Sequence, residues 1–135
     1  MTLRRLADRS ERGLATVEAV LVVPLVLVPI LLAVVVFGRL EHVRLVVDAA
    51  AAAGARQAAV VGGDSASVRQ RIATELSDGG IDPSRAVVIV EPAVAGWGEP
   101  IRVRVEIAEQ AAIPFAGNWV VPLSGEFVTR SEVTR

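Results

Sequence analysis

The feature that most constrains this chain is a run of nineteen residues without a charge, Ala19–Phe37. As an α-helix with a rise of about 1.5 Å per residue, the run is about 28 Å long, close to the hydrocarbon thickness of a bilayer. A secretory signal has a shorter apolar core of about 7–15 residues. The alternative is a helix buried in a soluble protein, but the rest of the chain is too short to cover it on every side. The run therefore predicts one transmembrane helix, which Pro24 and Pro29 would kink.

Arginines on either side of this run predict its orientation. Four arginines lie within residues 1–13, and two follow the run closely, at positions 39 and 44. Because basic residues are enriched on the cytoplasmic side, the N-terminus is predicted to be cytoplasmic. We therefore divide the chain into a basic cytoplasmic leader at 1–13, a transmembrane helix at 14–38 and an extracytoplasmic domain at 39–135.

Composition argues against several function classes. Cysteine is absent, which excludes disulfides, zinc ribbons and thiol catalysis. The net charge is −1, only 4% of residues are aromatic and tyrosine is absent, so no surface for nucleic acid is indicated. His42 is the single histidine and no second ligand accompanies it, so no metal site is predicted. No serine has a candidate base, and we predict no catalytic residue, cofactor or small-molecule substrate.

Residues 39–61 are rich in alanine and predict a helix that continues out of the membrane. Ala50, Gly54 and Ala58 follow each other at intervals of four residues, which places three small side chains on one helix face. Such a face allows another helix to approach closely. Two alternatives stay open: the face contacts a helix of another subunit, or it packs on the chain's own domain.

The second half of the chain predicts a short helix and a sheet. An amphipathic helix is expected over about 65–77, capped by Asp64 or Ser65. Alternating or β-branched residues predict three strands, at Ala86–Glu91, Ile101–Ala108 and Leu123–Val133. We expect an α+β fold in which a three-stranded antiparallel sheet is covered by the two helices.

Turn residues indicate the connections between these elements. Pro114 and Gly117-Asn118 predict a longer connection between the second and third strands. Trp97 and Trp119 are both expected to lie in loops, where they would serve packing or interfacial contact.

A short group of residues, from Gly13 to Glu18, lies between the basic leader and the apolar run. Gly13 lacks a side chain and gives a protease close access to the backbone, and Glu18 is the fifth residue after it. Glu18 lies at the entrance to the hydrocarbon, where an ionised group is costly without a positive partner. Cleavage behind Gly13 would create such a partner, the α-amino group of Leu14, on the same chain or on a neighbour. The plainer alternatives are an interfacial glutamate at an ordinary anchor and a flexible glycine joint.

These residues resemble a known signal. A basic leader, a glycine, a glutamate five residues later and about twenty apolar residues are similar to the class-III signal of type IV pilins, which prepilin peptidase cleaves. The longer string GLATVEAVLVVPLVLVPILLAVVVFGR resembles the TadE family, and RLVVDAAAAAGARQAA resembles the alanine-rich segment that follows in that family. The resemblance covers about residues 12–60.

The resemblance implies a structural and not an enzymatic role. A TadE-like protein would be a minor pilin or pseudopilin of a tight-adherence pilus or of the related secretion machinery. Its partners would be prepilin peptidase, the major pilin and other pseudopilins. The alternative function is an uncleaved, single-pass membrane-anchored binding or sensor domain. An extracytoplasmic enzyme would need a polar cluster, and the sequence indicates none.

Overall fold

The computed structural model describes residues 3–113 and 117–134, with the side chains of residues 20–112 and 117–134. The elements follow in the order α1 (Leu3–Val61), α2 (Ala66–Asp78), a single 3-10 turn (Pro83–Arg85), β1 (Ala86–Glu91), β2 (Pro100–Ile113) and β3 (Gly117–Arg130). The predicted α+β fold, with a long apolar helix, a second helix and a three-stranded antiparallel sheet, is confirmed.

Helix α1 is continuous over 59 residues and includes both Pro24 and Pro29. The predicted continuation beyond the apolar run is therefore confirmed. The helix ends where two glycines adopt positive φ, 77° at Gly62 and 132° at Gly63. Their backbone N–H groups donate to the carbonyl oxygen of Ala58 at 2.8 and 3.1 Å, so an otherwise unpaired helix-end carbonyl is satisfied.

Helix α2 begins at a serine cap. The Ser65 hydroxyl accepts a hydrogen bond from the backbone N–H of Val68 at 3.3 Å, which decides between the two predicted caps. Asp64 instead forms an ion pair with Arg69, with a shortest distance of 2.6 Å. The apolar stripe of α2 is buried and consists of Val68, Ile72 and Leu76.

The sheet has the order β1-β2-β3, with both pairs antiparallel. Its inner face is buried against the helices and carries the main apolar side chains of the central strand, Ile101, Val103, Val105 and Ile107. The predicted alternation of buried and exposed residues along this strand is confirmed. The outer face carries charged pairs such as Arg102 with Glu126 and Arg104 with Glu106.

The prediction of a long connection between the second and third strands is wrong. The ladder of β2 and β3 runs without interruption from Pro100↔Arg130 to Ile113↔Gly117, and Trp119 lies within β3 rather than in a loop. Pro122 is compatible with β3 because β3 is an edge strand, where one missing N–H donor is tolerated. The loop around Trp97, between β1 and β2, is as predicted.

Helix α1 lies directly on β3 at Gly125. A Cβ atom at this position would lie 2.7 Å from Oδ1 of Asp48 and 2.8 Å from the carbonyl oxygen of Val47. Real Cβ contacts are longer than this, so the glycine sets the distance between helix and sheet.

We expect Gly125→Ala to destabilise the domain formed by α2, the sheet and the second half of α1 by about 1–3 kcal/mol, since the added methyl group must push backbone atoms apart. For a domain of this size, that loss corresponds to a fall in Tm of about 4–20 °C. Gly96→Ala is the matched control, because its added Cβ would meet its nearest atom at 3.7 Å, an ordinary contact. Thermal unfolding of the two variants by circular dichroism is the measurement. Equal Tm values would contradict the proposed close contact.

Candidate functional site

The first candidate feature is the apolar part of α1. From Val20 to Phe37 no side chain is buried, and Leu21, Leu25 and Phe37 are 68%, 71% and 64% exposed. Within the described residues, one helix is long and apolar enough by length and composition to cross a membrane, and it contains this run. The chain's own domain therefore leaves the run uncovered, in contrast to the core helix of a soluble protein.

The predicted cleavage and assembly residues lie in the same helix. Gly13, Leu14 and Glu18 fall within the helical range Leu3–Val61, so their backbone continues directly into the apolar run. Their side chains lie outside the described part of the chain. Cleavage behind Gly13 and charge pairing by Glu18 stay predictions.

The small-residue face of α1 lies in the interior of the domain. Ala50 and Ala58 are fully buried, and a Cβ atom at Gly54 would lie 2.5 Å from Cγ1 of Ile72 on α2. The face thus allows the close approach of α2, which corresponds to the second of the two alternatives stated above. While the domain is folded, these three residues are not available to another subunit.

A buried carboxylate lies where α1 leaves the apolar run. The Glu109 side chain on β2 is only 4% exposed, and two arginines bind it. Arg39 donates from Nε to Oε1 at 3.0 Å and has its NH2 nitrogen 2.8 Å from the same oxygen. Arg85 donates to Oε2 at 2.8 Å and also to the carbonyl oxygen of Ala108 at 2.9 Å. The carboxylate on β2 therefore binds both α1 and the 3-10 turn that precedes β1. We call these three residues, Arg39, Arg85 and Glu109, the Glu109 cluster.

Comparison with known families decides what the helix is related to. The model of the family described as TadE-like protein matches residues 13–56. This segment is TadE-like. No curated protein and no solved structure matches the chain.

The TadE-like segment begins at Gly13, includes the whole apolar run and ends inside the domain part of α1. The resemblance inferred from the sequence is confirmed over this range. The match relates this segment to pilin-like proteins associated with the tight-adherence pilus, a family of structural pilus components. The match covers neither α2 nor the sheet, so the Glu109 cluster joins Arg39 of the TadE-like segment to two residues outside it.

Opposing effects set the pKa of Glu109. Burial disfavours the ionised form and raises the pKa, but the hydrogen bonds and charges of Arg85 and Arg39 together outweigh it and hold the pKa below its ordinary value. Glu109 is therefore ionised at neutral pH, and its charge is neutralised by the two arginines. Unlike an exposed surface pair, the cluster has its carboxylate removed from water.

Sequence reasoning missed Glu109, although a signal was present. The inward alternation Ile101, Val103, Val105, Ile107 continues with Glu109, so a charged residue at an inward position was visible. The predicted strand ended at Ala108, one residue before Glu109 and five residues before the end of β2 at Ile113. The partner Arg39 lies 70 residues away, and no local pattern pairs the two.

His42 has a structural contact. Its Nε2 lies 3.2 Å from the carbonyl oxygen of Gly79, at the end of α2. Among the side chains that the structure describes, no three His, Asp or Glu groups are placed to hold a metal ion. His42 thus helps to attach the end of α2 to α1.

Proposed function

We propose that this protein is a minor pilin or pseudopilin of a tight-adherence pilus or of the related secretion machinery. One observation carries the proposal: the TadE-like match begins at Gly13 and covers a helix whose apolar part lies outside the chain's own core. A helix with no buried side chain from Val20 to Phe37 needs a membrane or neighbouring helices to cover it.

In this proposal the chain inserts with its arginine-rich N-terminus in the cytoplasm and its domain outside. Prepilin peptidase cleaves behind Gly13, which leaves Leu14 as the new N-terminus. The α-amino group of Leu14 then pairs with Glu18 of its own chain or with the acid of a neighbouring subunit, in an assembly with the major pilin or another pseudopilin. The pairing neutralises an acid that would otherwise face hydrocarbon, and it sets the register between helices.

The division of α1 into two parts supports this role. Beyond Arg39, the inner side of the helix is occupied by α2 and the sheet of the same chain, as the buried residues Val43, Val47 and Ala51 show. Before Arg39, every described side chain stays accessible. Contacts between subunits would therefore use the apolar part of α1, and the domain would be carried outside as a preformed unit.

Cleavage is tested by the intact mass of the protein extracted from membranes of cells that contain prepilin peptidase. We expect a chain that lacks residues 1–13 and begins with Leu14. Gly13→Val should retain the leader, because a branched side chain blocks access to the backbone. The matched control is Gly38→Val in the same helix, where an added Cβ would meet nothing within 4 Å and cleavage should continue.

A full-length mass for the unmodified protein would argue against the pilin role. It would favour the alternative of an uncleaved, membrane-anchored binding or sensor domain. Cleavage of Gly13→Val at the same position would show that the glycine does not define the site.

A further inference from the structure

The hairpin formed by β2 and β3 has an uncharged end. Between Glu109 and Glu126 the sequence has no charged residue over sixteen positions, QAAIPFAGNWVVPLSG. Of the described side chains here, Trp119 and Val120 are 59% and 67% exposed. An uncharged, aromatic hairpin end of this length is unusual on a surface that faces water alone.

The hairpin lies beside the end of the apolar run. Gln110, Ala111 and Ala112 line a shared groove with four residues of α1, which are Val35, Val36, Arg39 and Leu40. Val35 and Val36 belong to the predicted membrane span, so the hairpin reaches the level of that span.

Contacts along α1 show in which direction the hairpin extends. In order along the helix, Arg39 binds Glu109, Val47 and Asp48 contact Gly125, and the carbonyl oxygen of Ala59 accepts from the N–H of Glu132 at 2.9 Å. Strand β3 therefore runs beside α1 with its beginning toward the membrane.

The depth of the hairpin relative to α1 follows from the rise per residue of a strand and of a helix. The pair Ala111↔Trp119 lies two residues beyond Glu109 in the ladder, about 7 Å closer to the membrane. The same distance is about four to five residues of helix, which brings this pair to about the level of Val35. The pair Ile113↔Gly117 lies about 7 Å further still.

We infer that the end of the β2–β3 hairpin is a second membrane contact, with Trp119 at the outer boundary of the hydrocarbon and the pair Ile113↔Gly117 about 7 Å below it. Tryptophan is enriched at this boundary, where its ring meets both headgroups and hydrocarbon. The unpaired edge of β3 disfavours insertion of the hairpin beyond this depth, because backbone groups without partners are costly in hydrocarbon. The charges of the Glu109 cluster lie just above and limit the depth.

The inference requires only that α1 crosses a membrane and does not depend on cleavage or on a pilus. Two contacts, a helix and a hairpin joined by the Glu109 cluster, would fix the tilt and rotation of the domain relative to the bilayer. A single helical anchor would leave the domain free to swing.

The two tryptophans provide the test and its control. Trp97 lies in the β1–β2 loop, which is bound to the outer end of α1 through the hydrogen bond from Ala95 N–H to the Gly62 carbonyl oxygen. That level is about 37 Å along the helix from Phe37. The variant Trp97→Phe therefore leaves a probe at the hairpin, and Trp119→Phe leaves one far from the bilayer.

Both full-length variants are reconstituted at low protein-to-lipid ratio into phosphatidylcholine vesicles with and without brominated acyl chains. We expect brominated lipid to reduce Trp119 emission by about half, with a maximum shifted to shorter wavelength, since the ring lies at the interface. Emission from Trp97 should be unaffected.

A second pair of variants tests the hairpin itself in the Trp97→Phe background. Val120→Asp places a charge at the end of the hairpin and should abolish most of the quenching. Val128→Asp makes the same change on the same outward face of β3, at a residue that is 52% exposed and eight positions farther from the end, and should leave quenching unchanged.

Vesicle flotation tests the helical anchor separately from the hairpin contact. Protein that floats with the vesicles but shows no difference between Trp119 and Trp97 overturns the hairpin contact and leaves the anchor intact. A short-wavelength emission that is insensitive to bromine also overturns it and indicates a contact with another subunit. Protein that does not float overturns the anchor and the hairpin contact together.

Discussion

Replacing Glu18 with glutamine is expected to reduce the incorporation of this protein into the proposed pilus assembly by about tenfold or more, equivalent to at least about 1.4 kcal/mol. Glutamine keeps the size and polarity of the side chain but removes the charge that would pair with the α-amino group of Leu14. In a layer of low dielectric constant such a pair is far stronger than in water. The ratio of assembled to free protein, measured by immunoblot after detergent extraction and co-isolation with the partner pilins, is the readout.

Glu11→Gln is the matched control for this experiment. It makes the same chemical change seven residues earlier, in the leader that cleavage would remove, so the mature protein should be identical to the unmodified one. Thermal unfolding should show that Glu18→Gln leaves the domain folded, since its core is formed by residues beyond Arg39. Equal incorporation of the two variants would reduce Glu18 to an ordinary interfacial residue.

Features with a local cause were predictable from the sequence. The long helix follows from its charge-free run and its alanine-rich continuation over 39–61, and it ends at Val61, just before Gly62-Gly63. The amphipathic pattern over about 65–77 predicted α2, and the β-branched run Ala86–Glu91 predicted β1 to the residue. In each case neighbouring residues carry the signal, and tertiary contacts agree with it.

Features that depend on distant contacts were not predictable. Pro114 and Gly117-Asn118 indicated a longer connection, but pairing across the hairpin extends β2 to Ile113 and starts β3 at Gly117. The small-residue face suited either a helix of another subunit or the chain's own domain, and only the position of Ile72 beside Gly54 shows that α2 packs there. The Glu109 cluster joins residues separated by 24 and 70 positions, so the fold alone brings them together.

The Glu109 cluster gives the largest expected effect on stability. The double variant Arg39→Gln and Arg85→Gln leaves a buried carboxylate without a cation, and we expect a loss of about 3–5 kcal/mol. Glu109→Gln should cost less, about 1–2 kcal/mol, because the two arginines are 69% and 43% exposed and can turn to water. Thermal unfolding of the full-length protein in detergent measures both.

A triple variant, in which Arg39, Arg85 and Glu109 are all glutamine, separates charge from packing. It removes the buried charge as well as its partners, so it should be more stable than the double variant although it carries one more substitution. A triple variant that is less stable than the double variant would show that the cluster stabilises the fold through shape and hydrogen bonding and not through charge.

The pH dependence of these variants has a defined sign. In the unmodified protein the pKa of Glu109 is held below its ordinary value, so the cluster contributes fully above the unfolded-state pKa of about 4.3 and loses its contribution as the pH falls through the lower folded-state value. Without the arginines burial alone acts and raises the pKa, so the folded double variant binds a proton more readily than the unfolded chain does. Its deficit in Tm relative to the unmodified protein should therefore shrink from pH 7 to pH 5, whereas Glu109→Gln should show no such change. A deficit that stays constant over this range would mean that the carboxylate reaches water in the double variant, and that α1 and β2 separate where the arginines now hold them together.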